Sequence, residues 1–167
     1  MDSIGHIFCR FRTSLAIALA ILVISGCSTG VTGNVSAPHS TVSRDTALSL
    51  AKQFATRIGG RAYVIAPSGS MLPTLDEGSI VTIEKVALEK LKVGDIIVYR
   101  NAAGLAVIHR LYERHNDLWF VLGDNNVSVD RETVSAENLL GRVCAIFYTA
   151  TDKQSANAQL TAVASRQ

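Results

Sequence analysis

The sequence predicts a mostly β domain, a barrel or a sandwich, with one helix on its N-terminal side. Beyond Gly60, short runs rich in Val, Ile and Tyr are separated by turn residues such as Asp76-Glu77-Gly78. This pattern is typical of antiparallel strands and not of strands that alternate with long helices. A helical turn is predicted over residues 136–140, and a polar tail over residues 149–167. The predicted strands cover residues 61–66, 80–85, 95–100, 105–114, 118–122 and 142–148.

The helix is predicted over residues 43–60, before the first strand. Ser43 is a suitable N-cap, Asp45 adds negative charge in the first turn, and Gly59 is a typical stop. The apolar side chains of this segment recur at helical spacing, so the helix is expected to pack on the edge of the domain. The residues of this apolar face are Leu48, Ala51, Ala55 and Ile58.

Composition limits the classes of function. The chain has 167 residues, with 16 basic and 14 acidic residues and a net charge of +2, so a nucleic-acid partner is not expected. The three cysteines, at positions 9, 27 and 144, predict no disulfide framework. No cluster with the spacing of metal ligands is present, so neither a metal nor another cofactor is expected. Cys144 lies in an apolar run and is predicted to be buried.

The first 26 residues have the order of a secretory signal. Arg10 and Arg12 precede an uncharged apolar run over 15–24, which is short for a membrane span. The stretch Ile24-Ser25-Gly26-Cys27 resembles a bacterial lipobox, in which the cysteine is lipidated; ordinary cleavage and an uncleaved anchor are the alternatives. We therefore predict a lipoprotein signal peptide over 1–26, a lipid at Cys27 and a flexible linker over 27–42. The domain would be anchored to a membrane by lipid, outside the cytoplasm.

Residues 67–75, Pro-Ser-Gly-Ser-Met-Leu-Pro-Thr-Leu, are the strongest candidate for a reactive segment. Ser, Gly and Pro are ordinary turn residues, so a simple turn is one interpretation. The alternative is a nucleophile loop, because Gly69 permits a sharp bend and Pro73 stiffens the chain after Ser70. Residues 68–75 resemble the nucleophile motif of the type I signal peptidase family.

Three further segments resemble that family in the same order. Residues 93–99 resemble its structural strand, residues 108–111 the strand that carries the base, and residues 123–126 with Asp130-Arg131 its acidic loop. Each segment alone is a weak signal, but four in order at compatible spacing are specific. The resemblance implies a signal-peptidase-like β domain over residues 61–148.

The base differs from that of most bacterial members of the family. They carry a lysine before the arginine that corresponds to Arg110, whereas this chain has His109, as the archaeal and endoplasmic-reticulum branch does. An imidazole, with an ordinary pKa of about 6.5, accepts a proton at neutral pH without deep burial. It also needs an acceptor that fixes its tautomer. The resemblance implies Asp130 in this role, six residues after Asp124, and Asp124 is the second candidate acid.

The resemblance implies a serine endopeptidase with the roles of a Ser-His-Asp triad. Ser70 would attack the peptide carbonyl, His109 would transfer the proton, and the Ser70 N–H with the Ser68 hydroxyl would bind the oxyanion. The expected partner is an extended leader peptide or preprotein that is cut after small residues. The alternative is a non-catalytic lipoprotein that uses the same fold as a binding module. A self-cleaving repressor-type regulator is not favoured, because it would use lysine and carry an upstream DNA-binding domain.

Overall fold

The structure, a computed structural model, describes residues 36–151 of the chain. The predicted signal peptide, Cys27 and most of the predicted tail lie outside the described residues. Within the described range the chain forms helix α1 (Arg44–Ile58), a 3₁₀ turn (Leu88–Lys90) and seven strands. The strands are β1 (Arg61–Val64), β2 (Ile80–Glu84), β3 (Ile96–Arg100), β4 (Ala106–His115), β5 (Leu118–Leu122), β6 (Thr133–Val134) and β7 (Leu139–Phe147).

The seven strands form one curled antiparallel sheet, a half-barrel, in the order β1-β2-β7-β3-β4-β5-β6. Strand β7 returns between β2 and β3, so the N-terminal hairpin and the central hairpin belong to one sheet. The curl of this sheet brings the loop between β1 and β2 to the middle of β4. The mostly β architecture with one helix confirms the predicted fold class.

Helix α1 has the predicted caps. The Ser43 side chain accepts a hydrogen bond from the Thr46 N–H, and the chain leaves the helix at Gly59. The buried face differs from the predicted one, because Ala47, Ala51 and Ala55 face the sheet and Ile58 is exposed. Small side chains let the helix lie close to β2. Between residues 36 and 151, no helix has the length and hydrophobicity needed to cross a bilayer.

The core extends beneath the loop between β1 and β2. Met71 and Leu75 of this loop are 2% and 1% exposed and pack with Ile65 and Val81. Burying side chains of this size stabilises the fold by about 1.5–3 kcal/mol each. Apolar anchors therefore hold the loop directly after Ser70.

The predicted helical turn over residues 136–140 is present only in part, because the Leu139 N–H donates to the Ser135 carbonyl at 3.1 Å, as in one turn of an α-helix. Residues 136–138 make a turn, and Leu139 already belongs to β7, where it pairs with Tyr99 on β3. The Asn138 side chain closes the turn by accepting from the Ser135 N–H. Pairing with β3, which is distant in sequence, determines the conformation of this segment, and the local sequence pattern does not reveal that pairing.

Cys144 is exposed, so its predicted burial was wrong. Thr82 pairs with Ala145 and Ile83 with Val143, which leaves Cys144 as the extra residue of a β-bulge. A bulge interrupts the alternation of faces and reorients the extra side chain. The Cys144 thiol donates to the Thr82 carbonyl, at 3.2 Å.

The two ends of the described chain pack on each other, at the end of the flexible linker predicted over 27–42 and at the start of the polar tail predicted over 149–167. Ala37 is 2% exposed. The Ser40 N–H donates to the Thr149 carbonyl at 3.2 Å, and the Ala150 N–H donates to the Val42 carbonyl at 2.8 Å. The segment before α1 is therefore attached to the domain from Ala37 onward.

Candidate active site

The nucleophile loop, residues 65–79, presents Ser70 on a bend. Gly69 has a φ of +70°, a backbone conformation that a residue with a side chain rarely adopts. The Leu72 N–H closes the turn by donating to the Gly69 carbonyl. Because Met71 and Leu75 are anchored in the core, the Ser70 hydroxyl is held at the surface of the domain.

His109 lies in the middle of β4 and faces Ser70. It pairs with Ile97 of β3 and is 7% exposed. Its Nε2 atom lies 3.2 Å from Ser70 Oγ, and its Nδ1 atom lies 2.5 Å from Asp130 Oδ2. With a proton on Nδ1, the ring donates to the carboxylate and Nε2 accepts from the hydroxyl. The structure thus joins Ser70, His109 and Asp130 in one hydrogen-bonded chain.

Asp130 reaches the ring from the loop between β5 and β6. Its backbone N–H donates to the Val121 carbonyl at 2.9 Å, which ties the loop to β5. Its Oδ2 atom also accepts from the Tyr99 hydroxyl at 2.9 Å. The Tyr99 hydroxyl on β3 therefore holds the Asp130 carboxylate, and the hydrogen bond to Val121 holds the Asp130 backbone.

Asp124, the second candidate acid, does not contact the imidazole. Its carboxylate accepts two hydrogen bonds from the Arg110 guanidinium, both at 2.7 Å, and one from the Thr74 hydroxyl. Burial raises the pKa of Asp124, but the hydrogen bonds from Arg110 and Thr74 outweigh burial and leave this pKa below its ordinary value. Asp124 thus links β4 to the nucleophile loop through Arg110 and Thr74.

The replacement Asp124→Asn is expected to lower the free energy of unfolding by about 1–3 kcal/mol at pH 7, because a charged hydrogen-bond partner of Arg110 is lost. The Arg110 side chain is 36% exposed, so solvent screening favours the lower part of that range. The folded-state pKa of Asp124 lies below its unfolded-state value of about 3.9. The stability that the ionised Asp124 contributes is therefore complete above the unfolded-state pKa, and it is lost as the pH falls through the folded-state pKa.

Urea unfolding at pH 7 and at about pH 3 measures this effect. The difference between wild type and Asp124→Asn should shrink at the lower pH. Asp117→Asn, in a side chain that is 97% exposed, is the matched control and should change stability by less than about 0.5 kcal/mol. A difference of equal size at both pH values would contradict the assignment.

The Ser68 hydroxyl lies next to the Ser70 backbone. The Ser70 N–H donates to Ser68 Oγ at 3.4 Å, and the two hydroxyl oxygens are 3.2 Å apart. Two potential donors, the Ser70 N–H and the Ser68 hydroxyl, therefore lie on one side of the candidate nucleophile. An oxyanion site uses donors of these kinds, aimed at the carbonyl oxygen of a bound substrate.

Three residues that support the site received no role from the sequence. Asn125 holds the nucleophile loop, because its backbone N–H donates to the Ser70 carbonyl at 2.9 Å and its side chain to the Gly69 carbonyl at 3.2 Å. At Gly123, an added Cβ would lie 2.7 Å from the Ser70 carbonyl oxygen, so only glycine fits. Tyr99 follows Ile97, the pairing partner of His109, by two residues on β3. Because side chains alternate between the two faces of a strand, this spacing indicates that Tyr99 lies on the same face of the sheet as His109.

A cleft of about 320 Å³ begins at Ser70 and His109. One wall is the chain at residues 63–66, and the other is β4 at residues 106–108 with Val98. The lining is mainly apolar, and Val64 at its edge is 43% exposed. An apolar cleft with a few polar groups at one end is a typical ligand-binding site.

A second and larger cavity, of about 580 Å³, lies between the ends of the described chain and residues 76–78. Its polar lining includes His39, Arg44 and Asp76. His39 Nε2 and Asp76 Oδ2 are 4.0 Å apart across it. Neither Ser70 nor His109 lines this cavity, whereas both line the smaller, apolar cleft.

Comparison with known proteins adds two findings. The sequence model of the Peptidase S24-like family matches residues 29–144. Signal peptidase I W of Bacillus subtilis (strain 168) is 35% identical over 77 residues, which cover 43% of this chain and 40% of that protein. The match therefore spans less than half the length of that relative. Both findings support a serine peptidase type of function, and the chain belongs to the Peptidase S24-like family.

Proposed function

We propose that this protein is a membrane-tethered serine endopeptidase that cuts leader peptides, or one dedicated exported substrate, after small residues. The observation that carries the proposal is the hydrogen-bonded chain from Ser70 Oγ through His109 to Asp130. In this order an alcohol, an imidazole and a carboxylate form the three parts of a serine-protease triad.

In the proposed mechanism, Ser70 Oγ attacks the scissile carbonyl carbon while its proton moves to His109 Nε2. The imidazolium that forms is stabilised by Asp130 and then donates this proton to the leaving amine, which breaks the peptide bond. Water then attacks the acyl carbon while His109 Nε2 takes a proton from it. The ester bond to Ser70 Oγ breaks, His109 returns the proton to Ser70 Oγ, and the new carboxyl terminus is released.

The oxyanion would be bound by the Ser70 N–H and the Ser68 hydroxyl. In the free protein that N–H donates to Ser68 Oγ. Bound substrate would therefore replace Ser68 Oγ as the acceptor, and the Ser68 hydroxyl would turn its proton to the carbonyl oxygen. One donor of this kind is typically worth about 2.7–4 kcal/mol of the barrier.

The proposed substrate class rests on the cleft and on the similarity to a protein named signal peptidase. The cleft beside Ser70 is mainly apolar and has a volume of about 320 Å³, which favours small apolar side chains next to the cut bond. Strand β1 stands at the end of the sheet order, where an extended peptide could add as a further strand. The substrate would bind through its backbone and be selected by the size of its side chains.

The membrane tether rests on the sequence at Cys27 and on the apolar run before it. Acyl chains on Cys27 would hold the domain on the outer side of a membrane, where leader peptides emerge. Partitioning of the full chain between detergent and water measures this part of the proposal. Cys27→Ser should move the protein to the aqueous phase, and equal partitioning of both forms would contradict a lipid at Cys27.

Cleavage of peptides by the full chain in detergent tests the activity itself. A fluorogenic peptide with alanine at the first and third positions before the cut is compared with one that carries leucine at both. We expect cleavage of the first peptide only, at the bond after the second alanine, as identified by mass spectrometry. If wild type and Ser70→Ala are equally inert on several leader-like peptides, the protein is a binding module and not a peptidase.

A further inference from the structure

Tyr99 on β3 touches the acid of the proposed triad. Its hydroxyl donates to Asp130 Oδ2 at 2.9 Å, which is the same oxygen that contacts His109 Nδ1. The Tyr99 and His109 rings lie 6.5 Å apart, with a tilted orientation. One carboxylate oxygen is thus shared between a phenol and the imidazole.

Packing alone does not explain a tyrosine at this position. The ring is 2% exposed and lies in the apolar cluster that contains Leu111 and Trp119. A phenylalanine would fill this space equally well, whereas a buried hydroxyl costs free energy unless it is hydrogen-bonded. The hydroxyl makes its hydrogen bond to Asp130, so the carboxylate accounts for the tyrosine.

The phenol remains a donor over the pH range in which a histidine-based peptidase works. Burial, followed by the hydrogen bond to Asp130 and the charges of Asp130 and Glu132, raises the pKa of Tyr99 well above its ordinary value. Tyr99 therefore cannot compete for the proton that moves between Ser70 and His109. Its contribution is confined to the carboxylate.

Among the charged groups near His109, Asp130 is the one through which Tyr99 can influence the imidazole. Asp130 is the carboxylate in contact with the ring. Asp124 also interacts electrostatically with His109, but its carboxylate is paired with Arg110, which follows His109 on β4. Glu132 acts on Tyr99 from the loop that carries Asp130. Of these groups, Asp130 alone touches both the imidazole and the phenol.

We propose that Tyr99 is a positioning residue, whose hydroxyl holds the Asp130 carboxylate against His109 Nδ1 and limits how strongly that carboxylate attracts the imidazolium proton. The proposal rests on the proposed function. The hydrogen bond from the buried phenol fixes the position of the carboxylate. The same bond satisfies part of the charge on the shared oxygen, which lowers its attraction for the proton. A proton that is held less tightly passes more readily to the leaving amine.

Tyr99→Phe should change turnover and its pH dependence but not substrate binding. Without the phenol, Asp130 Oδ2 is more basic and stabilises the imidazolium more, so the acid limb of the kcat/KM profile should move to higher pH by roughly 0.5–1 unit. We expect kcat to fall by about 3–10-fold. KM should stay unchanged, because Tyr99 does not line the cleft.

The experiment measures kcat and KM of the full chain in detergent between pH 5 and 9, on the alanine peptide. Tyr112→Phe is the matched control, because it removes a tyrosine hydroxyl from a side chain on β4 that is 52% exposed. This control should match wild type. If the acid limb of Tyr99→Phe coincides with that of wild type, or lies below it, the proposal is wrong while the peptidase assignment stands.

A second readout requires no turnover. The ring protons of His109 can be followed by NMR as the pH is changed, in wild type and in Tyr99→Phe. A midpoint that moves upward in Tyr99→Phe supports the proposal even if no tested peptide is cut, and a midpoint equal to or lower than that of wild type overturns it. Loss of activity in wild type itself would count against the proposed function and leave this readout valid.

Discussion

Ser70→Ala is expected to lower kcat/KM by about 10⁴–10⁶-fold and to leave the fold intact. Alanine removes the nucleophile, so His109 has no alcohol to activate and no acyl-enzyme can form. The backbone at Ser70 remains, including the N–H assigned to the oxyanion and the carbonyl held by Asn125. The apolar anchor at Met71 is unaffected, so the thermal unfolding midpoint should stay close to that of wild type.

Ser49→Ala is the matched control for this experiment. Ser49 lies on the exposed face of α1, where its hydroxyl accepts from the side chain of Gln53. This variant should keep wild-type kcat/KM. Binding of a leader peptide is measured by fluorescence anisotropy. Ser70→Ala should bind this peptide as tightly as wild type does before wild type has cut it. Residual cleavage within tenfold of wild type would exclude Ser70 as the nucleophile.

Most helices and strands could be predicted from the sequence, because in these segments the local sequence signals agree with the tertiary structure. Strand β5 has the predicted bounds, residues 118–122, between a hairpin turn and a glycine. Helix α1 begins after Ser43 and ends before Gly59, where capping chemistry is local. These features depend on a few neighbouring residues, which is why a single sequence is sufficient.

The errors occur where a distant partner decides the conformation. Leu139 joins a strand because Tyr99 lies beside it, and Cys144 is turned outward by a bulge opposite Thr82 and Ile83. Strand β6 has two residues, too few to leave a periodic pattern. Pairing registers of this kind are properties of the folded sheet, and no window of the sequence contains them.

The candidate site was predicted from motif resemblance more than from elementary chemistry. Ser70 and His109 are separated by 38 intervening residues (71–108), and nothing local to either one indicates that they meet. The choice between Asp124 and Asp130 depended on the same resemblance. Their different neighbours, Arg110 for Asp124 and His109 for Asp130, become visible only in the folded chain. The support from Tyr99, Gly123 and Asn125 follows from close approaches that the sequence does not display.

Asp130→Asn is expected to lower kcat by about 10³–10⁴-fold with little change in KM. The introduced amide has no negative charge to stabilise the imidazolium. If it presents its NH₂ group to Nδ1, it also selects the tautomer in which Nε2 carries the proton and cannot accept from Ser70. Asp117→Asn is the matched control, because it makes the same chemical change at a side chain that is 97% exposed. It should keep wild-type activity.

The direction of the pH shift separates this variant from Tyr99→Phe. Removal of the Asp130 charge destabilises the imidazolium, so the acid limb of kcat/KM should move to lower pH. Removal of the Tyr99 hydroxyl leaves that charge in place with one donor fewer, so the same limb should move to higher pH. Opposite shifts at two groups that meet at one oxygen would identify Asp130 as the carboxylate that acts on His109. Shifts in the same direction would mean that another group, with Asp124 as the first candidate, sets the charge state of the base.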